Sequence, residues 1–276
     1  MLYNKLDLSY RGIKSIGDVQ ELERISGIAS LNLSGNFIEK IEALRSPNLV
    51  ELILSSNKIT QIENLVSLFN LRSLYISGNK ITKIDGLSKL QKLESLSLMK
   101  NEIYKIEGLD GLINLEYLNL ASNQIKKIEN LQDLQKLSDL ILSNNQIKVI
   151  GALGDLKDLK KLRLDTNEIN EISCLEGLKS LKVLGLSNNN ISSLQGIERM
   201  INLEGLYLSN NPISDLRPLS SLHRLKHLYL HNIRVENLEP LFELRNLEWL
   251  EMNAFLLPHN FRSDIKKLRE LGVHVE

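Results

Sequence analysis

Asparagine returns in this chain at a fixed period. Asn57, Asn79, Asn101, Asn123, Asn145, Asn167, Asn189 and Asn211 follow one another every 22 residues, and Asn36 stands 21 before the first. Leu-x-Leu or Leu-x-Ile precedes each of them, as in Leu118/Leu120 and Leu74/Ile76. Ile follows at plus two, from Ile38 and Ile59 through to Ile191 and Ile213, and further Ile or Leu residues come at steps of three. The unit reads LxxLxLxxNxIxxIxxLxxLxx. A period this short holds one coil of chain, and a single coil cannot cover its own apolar side. Coils must therefore stack and share a continuous core.

The two spacings predict the coil's local structure. Leu-x-Leu has period two, which points both leucines to one face of a short strand. The later steps of three suit a tight 3₁₀-like or irregular turn that returns the chain within one coil. The expected fold is an α/β solenoid with a parallel β-sheet on its concave face and short 3₁₀ or irregular turns on its convex face. The periodic Asn falls where the chain leaves the strand. Its amide carries two donors and one acceptor carbonyl, enough to satisfy turn backbone in its own coil and the next. These asparagines are read as a structural ladder and not as catalytic groups.

Terminal repeats depart from the unit, as caps should. Residues 1–27 form an expected N-terminal cap, with Arg11 where Asn belongs and an apolar run through Ile16, Val19, Leu22 and Ile25. About ten repeats fill residues 28–255. Ile233 takes the Asn position there, while Leu228, Leu230 and Val235 keep the frame, and Leu250, Met252 and Phe255 mark the last coil. Pro258 ends the pattern. Residues 256–276 form a C-terminal cap in which SDIKKLREL makes a short helix with Ser263 as N-cap and Gly272 after it. VHVE adds a last strand. The whole chain is expected to be a single domain.

Composition narrows the function. Aromatic residues make up 5% of the chain, so Leu and Ile must supply the core. Lys+Arg and Asp+Glu number 34 each, so no global field draws the chain to nucleic acid or to an anionic membrane. No direct nucleic-acid partner and no membrane association are expected. The single cysteine, Cys174, precludes an intrachain disulfide. The opening MLYNKLDLSYRGIKSI has no apolar run of signal-peptide length. The expected setting is a reducing compartment, cytoplasmic or, in a eukaryote, nuclear. A monomer is expected.

The repeated motif resembles the 22-residue leucine-rich-repeat class typified by the regulatory subunit of type-1 protein phosphatase. Dynein- and spliceosome-associated repeat proteins are similar. ISDLRPLSSLHRLKHLYL and VENLEPLFELRNLEWL also resemble bacterial internalins, which use the same unit and are typically secreted; no signal peptide or wall-sorting tail is expected for this chain. The resemblance implies a non-enzymatic module that binds a protein on the strand face. A phosphatase, a small GTPase or a cytoskeletal protein would fit as partner. The alternatives are a ribonucleoprotein component, an exported adhesin-like surface protein, or an idealised scaffold without a partner.

The residues that do not repeat are the informative ones, because coil geometry leaves them free. Tyr207, His227, Tyr229, His231 and Trp249 fall on three successive strands about 4.8 Å apart, which makes them one patch. Tyr and Trp serve as binding anchors because they are large, stiff and amphipathic. Trp249 has a second reading, as apolar cover for the C-terminal cap. Lys161, Arg163 and Asp165, with Asp139 one coil before, form a charged stripe, read either as a binding feature or as a self-paired cluster. Tyr75 and Tyr117, with Ile53, form a weaker anchor set nearer the N-terminus. Interleaved charges such as Lys105 with Glu107 read as a solvated convex face.

No catalytic or metal site is expected, and no cofactor. His223, His227 and His231 recur at spacings of four, which on a helix would suggest a metal face. Here His223 falls in a turn, whereas His227 and His231 are placed on the strand, about 13 Å apart and too distant to share an ion. Cys174, beside Leu175, is read as a buried, inert thiol.

Overall fold

A computed structural model describes residues 4–19, 27–44, 46–151, 153–253 and 261–276. Leu22, Ile25, Phe255 and Pro258 lie outside the described residues. The chain divides into two compact units, Met1–Ile141 and Leu142–Glu276. Each is a run of stacked coils.

The first unit contributes β1 (Lys5–Asp7), β2 (Ser30–Asn32), β3 (Glu51–Ile53), β4 (Ser73–Tyr75), β5 (Ser95–Ser97), β6 (Tyr117–Asn119) and β7 (Asp139–Ile141). The second contributes β8 (Lys161–Arg163), β9 (Val183–Gly185), β10 (Gly205–Tyr207), β11 (His227–Tyr229), β12 (Trp249–Glu251) and β13 (His274–Val275). Within each unit every strand pairs in parallel with the next one in sequence. The register aligns leucine with leucine: Leu52 with Leu74, Leu206 with Leu228. Because the repeat has constant length, side chains of one column stand above one another strand after strand.

Short 3₁₀ turns at Ile16–Asp18, Ile197–Arg199, Arg217–Ser221 and Glu239–Glu243 make the return in several coils, as the steps of three require. The interior consists almost wholly of Leu and Ile. Leu118, Leu120, Ile125, Leu131 and Leu137 all have 0% exposure. Burying such a side chain contributes roughly 1.5–3 kcal/mol, and every coil repeats the gain.

The periodic asparagines lie inside the coil. Asn123 accepts from the Ile103 backbone N–H at 3.0 Å, and its Nδ2 donates to the Leu98 and Leu120 carbonyls at 3.0 Å each. It thereby joins its own coil to the one before. Asn57, Asn79, Asn101, Asn189 and Asn211 repeat the arrangement. Asn36 closes the N-terminal coil in the same way, accepting from Arg11 and Ile13 at 3.0 Å. Asn145 donates to the Leu142 carbonyl, and Asn167 accepts from Ile147. Ile233 has no amide to continue the ladder past Asn211.

The C-terminal helix α1 (Arg262–Glu270) begins two residues earlier than an N-cap at Ser263 would place it. Phe261 is the N-cap, and Ser263 lies within the first turn. Phe261 is 5% exposed, and its burial with Ile265 and Leu268 sets where the helix starts. The far end follows expectation. Gly272, at φ +92°, donates to the Arg269 carbonyl while Val273 donates to that of Leu268, a Schellman closure that leads into β13.

Candidate functional site

In the second unit the exposed side of the sheet carries most of the idiosyncratic residues, and its centre is a stack. The rings of Tyr207 and Tyr229, neighbours in register on β10 and β11, lie parallel with centroids 4.3 Å apart and planes 9° apart. The guanidinium of Arg163 lies over Tyr207 at 4.4 Å from its centroid. Arg163 sits on β8, two strands away, and it reaches Tyr207 because the intervening position is Gly185. A Cβ at Gly185 would come within 2.4 Å of Arg163 Nε and of Asp165 Oδ2. Asp165 holds the guanidinium, accepting from Arg163 Nε at 2.6 Å, and also accepts from the Ser187 backbone N–H. Within the charged stripe Arg163 and Asp165 therefore pair with each other, and Asp165 is buried at 8% exposure. Lys161 stands half-buried at the start of β8.

The rest of the patch divides. His227 is exposed and sits in register with Trp249. Trp249 stacks on His274 of β13 at 4.2 Å, so the last strand covers one of its faces. Its indole Nε1 is buried without a hydrogen-bond partner among the described residues. Trp249 is thus in part a cap residue, the second of the two roles expected for it. His231 is not on a strand: β11 ends at Tyr229, and the chain turns at His231. There its Nε2 lies 2.5 Å from Glu251 Oε1 and its Nδ1 2.5 Å from Asn253 Oδ1. Burial disfavours the imidazolium, but these two acceptors outweigh it and raise the His231 pKa above its ordinary value. Burial, reinforced by Tyr207, likewise raises the pKa of Tyr229.

A second amide column, which the repeat unit does not announce, runs beside the ladder. The residue before each ladder Asn takes a left-handed backbone conformation, with φ between +53° and +67° from Gly35 and Ser56 through Asn210 to Asn232. In the second unit this column is rich in Asn, and the exposed amides bond to one another. Asn210 donates to Asn188, Asn232 to Asn210 and Asn253 to Asn232, at 2.9, 2.7 and 3.0 Å. With its Nδ2 so engaged, Asn253 turns its carbonyl toward His231. The doublets Asn188-Asn189 and Asn210-Asn211 were the available signal, since Asn tolerates positive φ better than most residues.

Other expected residues are not brought together. Tyr75 and Tyr117, both in the first unit, stand in different columns two strands apart, and no ring pair forms between them among the described residues. Tyr117 Oη accepts from Asn119 Nδ2 at 3.2 Å. Cys174 is exposed, contrary to the expectation of a buried thiol. It occupies a left-handed turn position at φ +57°, taken in other coils by Asn64, Gly86, Gly108 and Asn130. Leu175, one residue on, takes the inward place. Among the described residues no cluster of His, Cys, Asp and Glu could hold a metal, and no helix is long and apolar enough to cross a membrane.

A family model for leucine-rich repeats in two copies matches residues 47–89, 69–112, 91–134, 179–221 and 201–243, and a second leucine-rich-repeat model matches 137–191. Among solved structures, an internalin of Listeria monocytogenes (InlF) is similar over 90% of this chain and 86% of its own, at 27% identity and a TM-score of 0.61. The functional domain of InlJ from the same organism, described as including a cysteine ladder, aligns over 90% of this chain and 53% of its own at 24% identity, with a TM-score of 0.76. A leucine-rich-repeat protein of Leptospira interrogans aligns over 98% of this chain and 95% of its own at 23% identity and a TM-score of 0.66. The last two likenesses bear on the fold alone. No curated protein sequence matches the chain.

Proposed function

The chain belongs to the leucine-rich-repeat family, and from that premise we propose that the strand face of its second unit binds a protein partner, with Tyr207 and Tyr229 as the anchors. Family members generally act as protein-interaction modules. The observation that carries the assignment to this face is the Arg163–Tyr207–Tyr229 stack. Rings already fixed by stacking, and a guanidinium already held by Asp165, lose little conformational freedom on binding, so more of the contact energy remains as affinity. The neighbouring Trp249 and the exposed His227 extend the same surface.

We also propose that the chain falls in the class of the type-1 phosphatase regulatory subunit, whose 22-residue unit it shares, and that it works in a reducing, cytoplasmic setting, a reading supported by the free Cys174.

The test is capture from native lysate followed by mass spectrometry, comparing the wild type with a Tyr207→Ala/Tyr229→Ala variant of unchanged melting temperature. Loss of specific partners by the variant supports the face. Equal recovery of every partner overturns it.

A further inference from the structure

The Tyr207–Tyr229 pair has two outer faces, and they are not alike. The face toward β8 is occupied by Arg163, whose charge Asp165 balances at 2.6 Å. The face of Tyr229 toward β12 has no ring or cation over it among the described residues. In register opposite Tyr229 stands Glu251, and Glu276 follows directly after β13 on the neighbouring strand. Glu251 gives Oε1 to His231, and no hydrogen bond to its Oε2 is present among the described residues. The near end of the stack thus reads carboxylate, guanidinium, ring. The far end reads ring, then carboxylates met by imidazoles, with no guanidinium or ammonium among the described residues.

We infer that the outer face of Tyr229, together with Glu251 and Glu276, receives the guanidinium of an arginine presented by the protein partner. Arginine fits better than lysine for three reasons. Its planar group stacks on a ring, it meets a carboxylate with two parallel N–H donors, and it sheds water more readily than an ammonium. The molecule already uses this chemistry once, at Arg163. Charge agrees with the assignment. The titratable groups at this corner are the carboxylates Glu251 and Glu276 and the imidazoles His231 and His274, which bond to them at 2.5 and 3.4 Å. No lysine or arginine contacts either carboxylate among the described residues. An acidic side chain arriving here would meet like charge.

The inference rests on the strand face being the binding surface, and its test is separable from the test of that reading. The full chain, labelled on its tyrosine rings, is titrated with three blocked pentapeptides: Gly-Gly-Arg-Gly-Gly and its Lys and Glu counterparts. The expected result is a saturable shift of the Tyr229 ring with the Arg peptide, a weaker one with Lys and none with Glu. Read on the stacked Tyr207 ring, Glu251→Gln should weaken the Arg peptide by about five-fold, Tyr229→Phe should retain it, and Tyr229→Ala should lose it. An Arg peptide no better than the Lys or Glu peptide overturns the assignment. So does indifference to Glu251→Gln, or an equal response at Tyr75 and Tyr117. If captured partners depend on Tyr207 and Tyr229 while the Arg peptide fails, only the arginine assignment falls. If capture ignores those tyrosines, the face reading falls whatever the peptide does.

Discussion

Arg163 touches Tyr207 across a strand that separates them. The guanidinium passes over Gly185 of β9 to lie 4.4 Å from a ring on β10, roughly two strand spacings from its own backbone. The glycine is what allows this, because any Cβ there would occupy the arginine's path.

Gly185→Ala should therefore push Arg163 off Tyr207, at a cost of about 0.5–1 kcal/mol in lost cation–π contact. The ring-current shift of the Arg163 side-chain protons reports the displacement. Gly205→Ala is the control, since a Cβ at Gly205 meets nothing nearer than 3.8 Å, and it should leave that shift in place. An unchanged Arg163 signal in Gly185→Ala would refute the crossing.

Asn123→Ala should lower stability by about 1–3 kcal/mol, because it strips partners from the Ile103 N–H and from the Leu98 and Leu120 carbonyls inside the core. The midpoint of urea unfolding measures it. Asn114→Ala is a fair comparison. Its amide donates to the Gln91 carbonyl at an exposed site, where water can take over, and it should cost much less.

His231 predicts a local pH dependence. Bonds to Glu251 and Asn253 raise its pKa over the opposing effect of burial. The folded state thus binds the proton more tightly than the unfolded one. The stabilisation is fully present below the ordinary value of 6.5 and is lost as pH rises through the folded value. Amide exchange at Leu250 and Met252 should accelerate beyond the intrinsic rate change as pH rises above 6.5, and His231→Gln should abolish the excess. Protection that grows with pH would contradict the sign.

Cys174 should react with a water-soluble maleimide in the native protein at close to the rate of the urea-unfolded chain, because the thiol is exposed. Strong protection in the native state would return it to the core.

Much of this molecule was legible from its residues alone. The 22-residue period fixed the coil, the leucine columns, the Asn ladder and the parallel order of the strands, because each depends on contacts that every coil repeats at the same position. Even the patch at Tyr207 and Tyr229 could be placed, since constant spacing turns sequence distance into strand number. The pairings on that face could not. Whether Arg163 meets Asp165, Tyr207 or solvent depends on how far its side chain extends and on the empty volume at Gly185, two strands of separation that no periodicity encodes. His274 covering Trp249, the turn that lifts His231 off the strand and the left-handed site that exposes Cys174 are of the same kind. Backbone periodicity is a local property summed over coils, and the sequence carries it openly. Side-chain contact across strands is decided by the shapes of particular neighbours, and only the folded structure brings those neighbours together.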